Sequence, residues 1–516
     1  MKHSISLSLS PEELFNQKKL YSTVARYLKT DILKINHIQI VRQSLDARRK
    51  IAYQVNADVY TDETIYRKET FKSDYKNVSS KPPVIIVGTG PAGLFAALRA
   101  LEVGLKPILI EQGKNVKDRK LDIADITRNK IVNPTSNWCF GEGGAGTYSD
   151  GKLYTRSNKR GNIRDILSKF VEHGANENIL LEAHAHIGTD KLSPVIANIR
   201  NTIKSCGGEY YFETKVADFI VQNNSVKGVL DSKGNKYEGI AVVLATGHSA
   251  RDIYELFHQK GWQIESKPFA LGIRIEHPQE LINQIQYHST NYSKYLPPAS
   301  YSLTAQVNKR GVFSFCMCPG GIIVPAATAG NEQVVNGMSN SMRNSPFANA
   351  GIAVSVSPED IQSTEPLALL QFQKEIEQKM FIAGGNNLSA PTQRMTDFCS
   401  NKPSPALNPS SYLGECTSAP LHELLPQIIV KPLQEAFHIF GKKMKGFYTD
   451  SANIHAIESR TSSPVRIPRN EQYEHIQLKN LYPCGEGAGY AGGIVSSAMD
   501  GINCINQIAI ENQIAL

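Results

Sequence analysis

The segment Val84-Ile-Ile-Val-Gly88-Thr-Gly90-Pro-Ala-Gly93-Leu, followed by Pro107-Ile-Leu-Ile-Glu111, constrains this chain more than any other stretch. Four apolar residues make a short buried strand, and the Gly88-x-Gly90-x-x-Gly93 spacing turns that strand sharply into a helix. Gly88 permits the tight turn, Gly90 lets main chain approach a pyrophosphate, and Gly93 lets helix and strand pack closely. The spacing predicts a helix over Pro91–Val103 with Leu94, Ala97, Leu98 and Leu101 on one face. Its N-terminus, at Pro91 and Ala92, points a positive dipole end at phosphate. Glu111 closes the second strand, where a carboxylate can accept hydrogen bonds from both hydroxyls of an adenosine ribose. The order strand, glycines, helix, strand, acid predicts a bound dinucleotide, and the acid argues against NADP in this site.

A chain of 516 residues has room for two to four domains. Its net charge of +8 comes from 56 basic and 48 acidic side chains spread along the sequence, with no Lys/Arg tract of the kind that marks a nucleic-acid arm. The opening Met1-Lys-His-Ser-Ile-Ser-Leu-Ser-Leu alternates like a strand and lacks the apolar run of a signal peptide. No run of about eighteen apolar residues predicts a membrane span. Eight cysteines without a regular framework fit a reducing, cytoplasmic setting, and no paired CxxC motifs or histidine clusters point to a metal.

Residues 1–80 read as a small α+β unit: a strand over Ile5–Leu9, a helix from Pro11 to Leu28, and strands near Ile35–Val41 and Ile51–Val59. Lys72 to Pro83 reads as a linker. Residues 81–260 carry the first dinucleotide unit. Residues 261–454 change texture, with short strands, many Pro and Gly, and helices expected over Glu365–Ile382 and Leu421–Phe440, the latter interrupted at Pro426 and Pro432. Residues 455–516 close the chain.

Three further segments extend the ligand site. Gly141-Glu-Gly-Gly144-Ala-Gly146-Thr147-Tyr-Ser-Asp-Gly-Lys152 is too glycine-rich for an ordinary helix or strand; Gly144, Gly146, Thr147 and Lys152 are expected to contact a ligand. The apolar strand ending Ala245-Thr246-Gly247-His248 brings main chain to the carboxyl end of a sheet, where open α/β sheets bind ligands. Gly485-Glu486-Gly487-Ala-Gly489-Tyr-Ala-Gly492-Gly493-Ile494 precedes a helix expected over Val495–Ile510, a second glycine turn about 400 residues after the first. Its helix N-terminus can face a phosphate or a flavin carbonyl.

Together these segments resemble FAD proteins of the glutathione-reductase type. More narrowly, Phe140–Leu153, Ala270–Gln279, Phe315-Cys-Met-Cys-Pro-Gly-Gly321, Glu458–Ile467 and Gly485–Ile494 are similar to a bacterial family of uncharacterised FAD-dependent dehydrogenases. The similarity covers nearly the whole chain. It implies an α/β fold: a discontinuous Rossmann-like FAD domain (81–260 with 455–516), an inserted α+β substrate domain and the small N-terminal α+β domain. Carried over by position, Gly88 to Gly93 hold the pyrophosphate, Glu111, Gln112 and Arg119 belong to the cofactor site, and Val216 meets adenine through its backbone. Gly485, Glu486, Gly492, Gly493 and Ile494 lie near the ribityl chain and the pyrimidine end of the flavin. Cys484 departs from the small apolar residue expected before that turn, with an effect expected on packing only.

A flavin brings its own hydride chemistry, and protein groups position substrate and tune the ring. Arg460 and Arg466, in Glu458-Ser-Arg-Thr-Ser-Ser-Pro-Val-Arg466, fit either an anion-binding role or an Arg–Glu structural network. Cys316 and Cys318 fit either a redox pair or thiolate nucleophile, or inert buried thiols, since alternate strand residues point the same way and a disulfide so close is strained. His248, His277 and Arg274 are candidate proton donors or substrate ligands. No second strand–GxGxxG–helix unit serves NAD(P)H; either NAD(P)H visits transiently, or a small organic substrate or protein partner exchanges electrons directly. The expected function is an FAD-dependent oxidoreductase acting on a small organic substrate, C–C saturation or desaturation being the leading class. The alternatives are an RNA-modifying or RNA-binding flavoprotein, and a non-catalytic flavoprotein with a docking module in residues 1–80.

Overall fold

The computed structural model describes residues 1–516 except 49, 63–65, 67–68, 155–160, 291 and 516. Its nucleotide-type core is a five-stranded parallel sheet in the order Leu481–Pro483, Ala241–Leu244, Pro83–Val87, Lys106–Ile110, Glu209–Tyr211. Val84, Ile85, Ile86, Val242 and Val243 are fully buried, as a parallel sheet covered on both faces requires. The helix Pro91–Val103 follows the first glycine turn with the bounds its spacing predicts. It packs against the last helix, Ile494–Glu511, so closely that a Cβ on Gly501 would lie 2.1 Å from the carbonyl oxygen of Ala92. The sheet order has a direct consequence: strand Leu481–Pro483 pairs with Ala241–Leu244, so the last glycine turn of the chain opens at the same sheet edge as the first.

A second, mostly antiparallel sheet of seven strands runs Thr304–Val307, Arg310–Cys318, Phe347–Val356, Phe269–Pro278, Asn453–Glu458, Ala390–Arg394, Cys416–Ser418. The helix Gln427–Lys443 covers it with Ile429, Val430, Leu433, Ala436, Phe437 and Phe440, all buried. Pro426 precedes this helix as expected, but Pro432 lies inside it and does not interrupt it. An internal proline costs about 3 kcal/mol, and burying several large apolar side chains at about 1.5–3 kcal/mol each offsets that.

The N-terminal sheet places Ala52–Thr61 between Lys2–Leu9 and Ile35–Asp46. Its helical segment divides at Asn16, which ends Pro11–Phe15 and whose side chain accepts from the Lys19 amide to start Gln17–Leu28. An asparagine there competes with the helix for its own backbone. Gln43 ties this unit to the rest by exchanging main-chain hydrogen bonds with Leu181 and Ala183. Among the described residues no helix is long and apolar enough to cross a membrane.

Candidate functional site

The first glycine turn is built by close main-chain contact. Gly88 has φ +100°, and its amide donates to the Ile110 carbonyl at 2.8 Å. A Cβ on Gly93 would lie 2.0 Å from the Gly88 carbonyl oxygen. Around Gly90, by contrast, the nearest atom to a Cβ would be the Gly144 Cα at 3.9 Å, and Gly90 starts the helix without any side-chain cap. The helix N-terminus is thus left open.

Glu111 is used differently from the expectation. Its carboxylate is buried and accepts four protein hydrogen bonds, from the Thr89 amide (3.0 Å), the Thr89 hydroxyl (2.8 Å), and the amides of Gly113 (2.9 Å) and Gly141 (3.1 Å). Two bonds on each oxygen fill the acceptor capacity of a carboxylate. Glu111 therefore clamps the first glycine turn to the loop after Phe140. Gln112 beside it is half-buried, and Val216 opens the strand Val216–Gln222 and is itself buried.

Arg119 also needs correction. The side chain expected to meet the cofactor is fully buried, and its guanidinium donates to the carbonyls of Asn137, Trp138, Gly141, Glu142 and Gly144 at 2.8–3.2 Å. It folds the glycine loop and acts on any ligand only through that loop. The loop sits on the first turn: Gly143 donates to the Thr89 carbonyl (2.8 Å), and a Cβ on Gly144 would lie 3.2 Å from the Gly90 Cα. A Cβ on Gly146 would touch Ile494 at 3.2 Å and Pro91 at 3.5 Å, so three distant motifs meet at one point. Thr147 is buried with its hydroxyl on the Glu142 carbonyl (3.2 Å), a loop-internal role in place of ligand contact. Lys152 points away from the glycines, and its ammonium bonds the Met317 carbonyl.

The strand Ala241–Leu244 and the last glycine turn complete the site. Ala245 pairs with Val87, and a Cβ on Gly487 would lie 2.7 Å from the Gly247 carbonyl oxygen. Thr246 is half-buried. Gly247, Gly492 and Gly493 share a different property: a Cβ on any of them would have no neighbour within 4 Å. With Gly90 they line an open cradle along the carboxyl edge of the sheet, and that space suits an extended dinucleotide. The turn is braced from behind: the Gly485 amide donates to Asp500 at 2.7 Å, and Glu486 accepts from Gly493. Cys484 lies with Asp500 and Cys504, all buried, while Arg469 holds Asp500 through both oxygens (2.6 and 2.9 Å). A guanidinium so close disfavours a cation there.

Beside Gly247, His248 faces Glu486 across 3.5 Å from Nε2, while its buried Nδ1 has no hydrogen-bond partner. Burial favours the neutral imidazole, Arg460 and Arg251 push the same way, and Glu486 opposes them; the net pKa is lowered. Arg460 is less free than the sequence allowed. It donates to Thr328 (2.7 Å), Glu332 (2.7 Å) and Glu377 (3.0 and 3.2 Å) and is buried, the Arg–Glu network of the two readings. Arg251 joins the same carboxylates at 2.6 and 2.7 Å. Nothing in the local sequence of Arg251, Glu332 or Glu377 announces this cluster, because its members come from three separate segments. His277 donates from Nε2 to the Phe447 carbonyl in the core (2.8 Å), and Arg274 is fully buried against Glu458 (2.6 Å) and Asn349 (2.7 Å).

Residues 83–124 match the family described as FAD binding domain, and residues 268–461 match that described as FAD-dependent protein, C-terminal domain-like. Residues 1–60 match a domain of unknown function. An uncharacterized protein of Clostridium beijerinckii is 39% identical over 529 residues, spanning 98% of this chain and 98% of that one. The chain belongs to a bacterial family of uncharacterised FAD-dependent proteins. Its family cofactor, FAD, fits the cradle of Gly90, Gly247, Gly492 and Gly493. Solved structures that the chain matches include a glycine oxidase from Bacillus cereus (14% identical, 84% of this chain and 96% of that one, TM-score 0.30). Another is a geranylgeranyl bacteriochlorophyll reductase-like protein from Thermoplasma acidophilum (13%, 84% and 79%, TM-score 0.34).

Proposed function

We propose that this FAD-dependent protein is an oxidoreductase moving a hydride equivalent between its flavin and a small organic substrate, with saturation or desaturation of a carbon–carbon bond as the leading reaction. The observation that carries this reading is the meeting of the turns at 88–93, 141–147 and 485–494 on one sheet edge, around glycines that face open space. On this reading 81–260 and 455–516 form one discontinuous FAD domain of glutathione-reductase type, 261–454 the inserted substrate unit and 1–80 a separate module.

Bound FAD supplies hydride transfer at its N5. The chain does the rest. Gly90 and the uncapped helix N-terminus at Pro91 hold the pyrophosphate, while Gly247, Gly492 and Gly493 leave room for the remainder. His248 is neutral near pH 7 and has a free Nδ1, so it can take up or hold a substrate proton at that atom while Glu486 orients Nε2. Arg460 positions the 458–463 loop through Glu332 and Glu377.

The test is spectroscopic. The purified protein should be yellow, release FAD on unfolding, and bleach with dithionite under anaerobic conditions. A panel of α,β-unsaturated carbonyl compounds should then include at least one that reoxidises the reduced flavin, and His248→Asn should slow that step roughly 10²–10⁴-fold at unchanged flavin content. A flavin that dithionite cannot bleach would end the oxidoreductase reading; a panel without any oxidant would end the C–C assignment.

A further inference from the structure

The Cys316-Met-Cys318 segment does not have the regular strand geometry that makes alternate cysteines inert. The strand Arg310–Cys318 breaks register against Phe347–Val356 between Phe315 and Cys318, and Cys316 sits at φ +44°. A left-handed conformation is uncommon for a non-glycine residue and recurs at functional sites. The bulge folds Cys318 back, so that its thiol donates to the Cys316 carbonyl at 3.2 Å. Cys318 is buried, whereas Cys316 is half-buried.

The surroundings are cationic. Lys152 reaches in from the glycine loop and bonds the Met317 carbonyl; among the described residues it has no carboxylate within 4.0 Å. Arg274 donates to the Cys316 carbonyl at 3.4 Å, but its charge is already matched by Glu458 at 2.6 Å. Asp150, the other nearby acid, is held by Arg343. The ammonium of Lys152 is therefore left to be balanced by something else, and a thiolate on Cys316 is the anion within its field. The hydrogen bond with Cys318 lowers the Cys316 pKa to about 6 against the opposing effect of burial, with Lys152 and Arg274 adding to it and Asp150 opposing. The same contact raises Cys318 well above an ordinary thiol. One thiol is thus ionised near neutrality and its neighbour keeps its proton.

We propose that Cys316 and Cys318 form a redox-active dithiol that reduces a disulfide substrate, with Cys316 as the attacking thiolate, Cys318 as the resolving thiol and Lys152 as the positioning counter-ion. The Cys316 sulfur attacks one sulfur of the substrate, the substrate S–S bond breaks, and the far half leaves as a thiolate that takes a proton. Cys318 then loses its proton and attacks the Cys316 sulfur, releasing the second substrate thiol. The substrate disulfide is reduced to two thiols, the protein dithiol is oxidised to one disulfide, and no electrons from the cofactor enter this half-reaction. A disulfide is favoured over a carbon electrophile because a second thiol two residues away, folded back onto the Cys316 carbonyl, resolves a mixed disulfide and serves no purpose for a carbon adduct. The proposal stands apart from the hydride reading above and does not depend on it.

The experiment uses the FAD-loaded full chain and dithiobis(nitrobenzoic acid) as the disulfide, with the peptide carrying both cysteines mapped by mass spectrometry. At pH 7 the wild type should react at Cys316 at least tenfold faster than at any other cysteine, and finish with an internal Cys316–Cys318 disulfide and no attached reagent. Cys318→Ser should stop at a stable mixed disulfide on Cys316. Lys152→Met, with flavin content checked, should shift the pH midpoint of Cys316 alkylation by iodoacetamide upward, toward the value of about 8.5 of a free thiol. A wild-type Cys316 that titrates like a free thiol, reacts no faster than the other cysteines, or retains the reagent as a mixed disulfide would overturn the proposal.

Discussion

A Cβ on Gly88 would lie 2.4 Å from the carbonyl oxygen of Ala245, on the neighbouring strand's exit. Gly88 is also held at φ +100°, so two constraints coincide at one atom. Gly88→Ala should cost about 1–3 kcal/mol from backbone conformation alone, with the clash in addition. Ala245 belongs to the main chain that opens the Gly247 turn and cannot move aside cheaply. A lowered thermal midpoint together with loss of bound FAD is the expected result; a wild-type midpoint with full flavin content would show that the turn is looser than its geometry.

Gly492 gives the contrasting case. It has no left-handed φ and nothing within 4 Å of its would-be Cβ. In the apo chain Gly492→Ala should leave stability within about 0.5 kcal/mol of wild type. In the holoprotein the methyl enters the cradle, where overpacking costs about 1–3 kcal/mol, or roughly 5- to 150-fold in FAD affinity. Calorimetry of the apo form and flavin titration separate the two effects. Unchanged affinity would take Gly492 out of the cofactor site.

Arg119 tests whether a residue that touches no ligand can govern ligand binding. Removing its guanidinium in Arg119→Met takes a donor from five loop carbonyls, of which Gly141 and Glu142 keep a second one from the Gly144 amide and the Thr147 hydroxyl. Each orphaned buried acceptor costs about 1–3 kcal/mol, less what local relaxation recovers. The expected outcome is a loop over 137–144 that becomes protease-sensitive, and flavin retention that falls with it. Protease resistance equal to wild type would show that other contacts hold the loop.

The parallel sheet and its helices were legible in the sequence because each depends on local signals: apolar runs four or five residues long, and glycines at fixed offsets from them. Pro91–Val103 has the bounds its spacing predicts for that reason. The partners of charged side chains were not legible. Glu111 and Arg119 stand where cofactor ligands are expected, but which groups fill their valences depends on how the 137–144 loop returns to the first turn, and that is a tertiary fact. Arg460 offered two readings because Glu332 and Glu377 are distant in sequence and only folding brings them to it. The geometry around Cys316 was not legible either, since the bulge between Phe315 and Cys318 cancels the alternation that strand periodicity assumes.

The Arg251–Arg460–Glu332–Glu377 cluster places two cations and two anions in a buried site, and its acid response follows from Glu377. Burial pushes that carboxyl up, but Arg460 and Arg251 more than offset it and hold the pKa down at about 2. A depressed carboxylate stabilises the fold fully above its unfolded pKa of about 4.3, and that stabilisation drains away as pH falls toward 2. Arg460→Met removes one cation and leaves a net buried negative charge, which should cost about 3–5 kcal/mol at pH 7. In the variant Glu377 is less depressed, so the loss of stability between pH 4 and pH 2 should be shallower than in wild type. Urea unfolding across that range measures both. A wild-type curve in the variant would mean that Arg251 alone carries the cluster, and a flavin reaction lost at unchanged stability would return Arg460 to the chemistry.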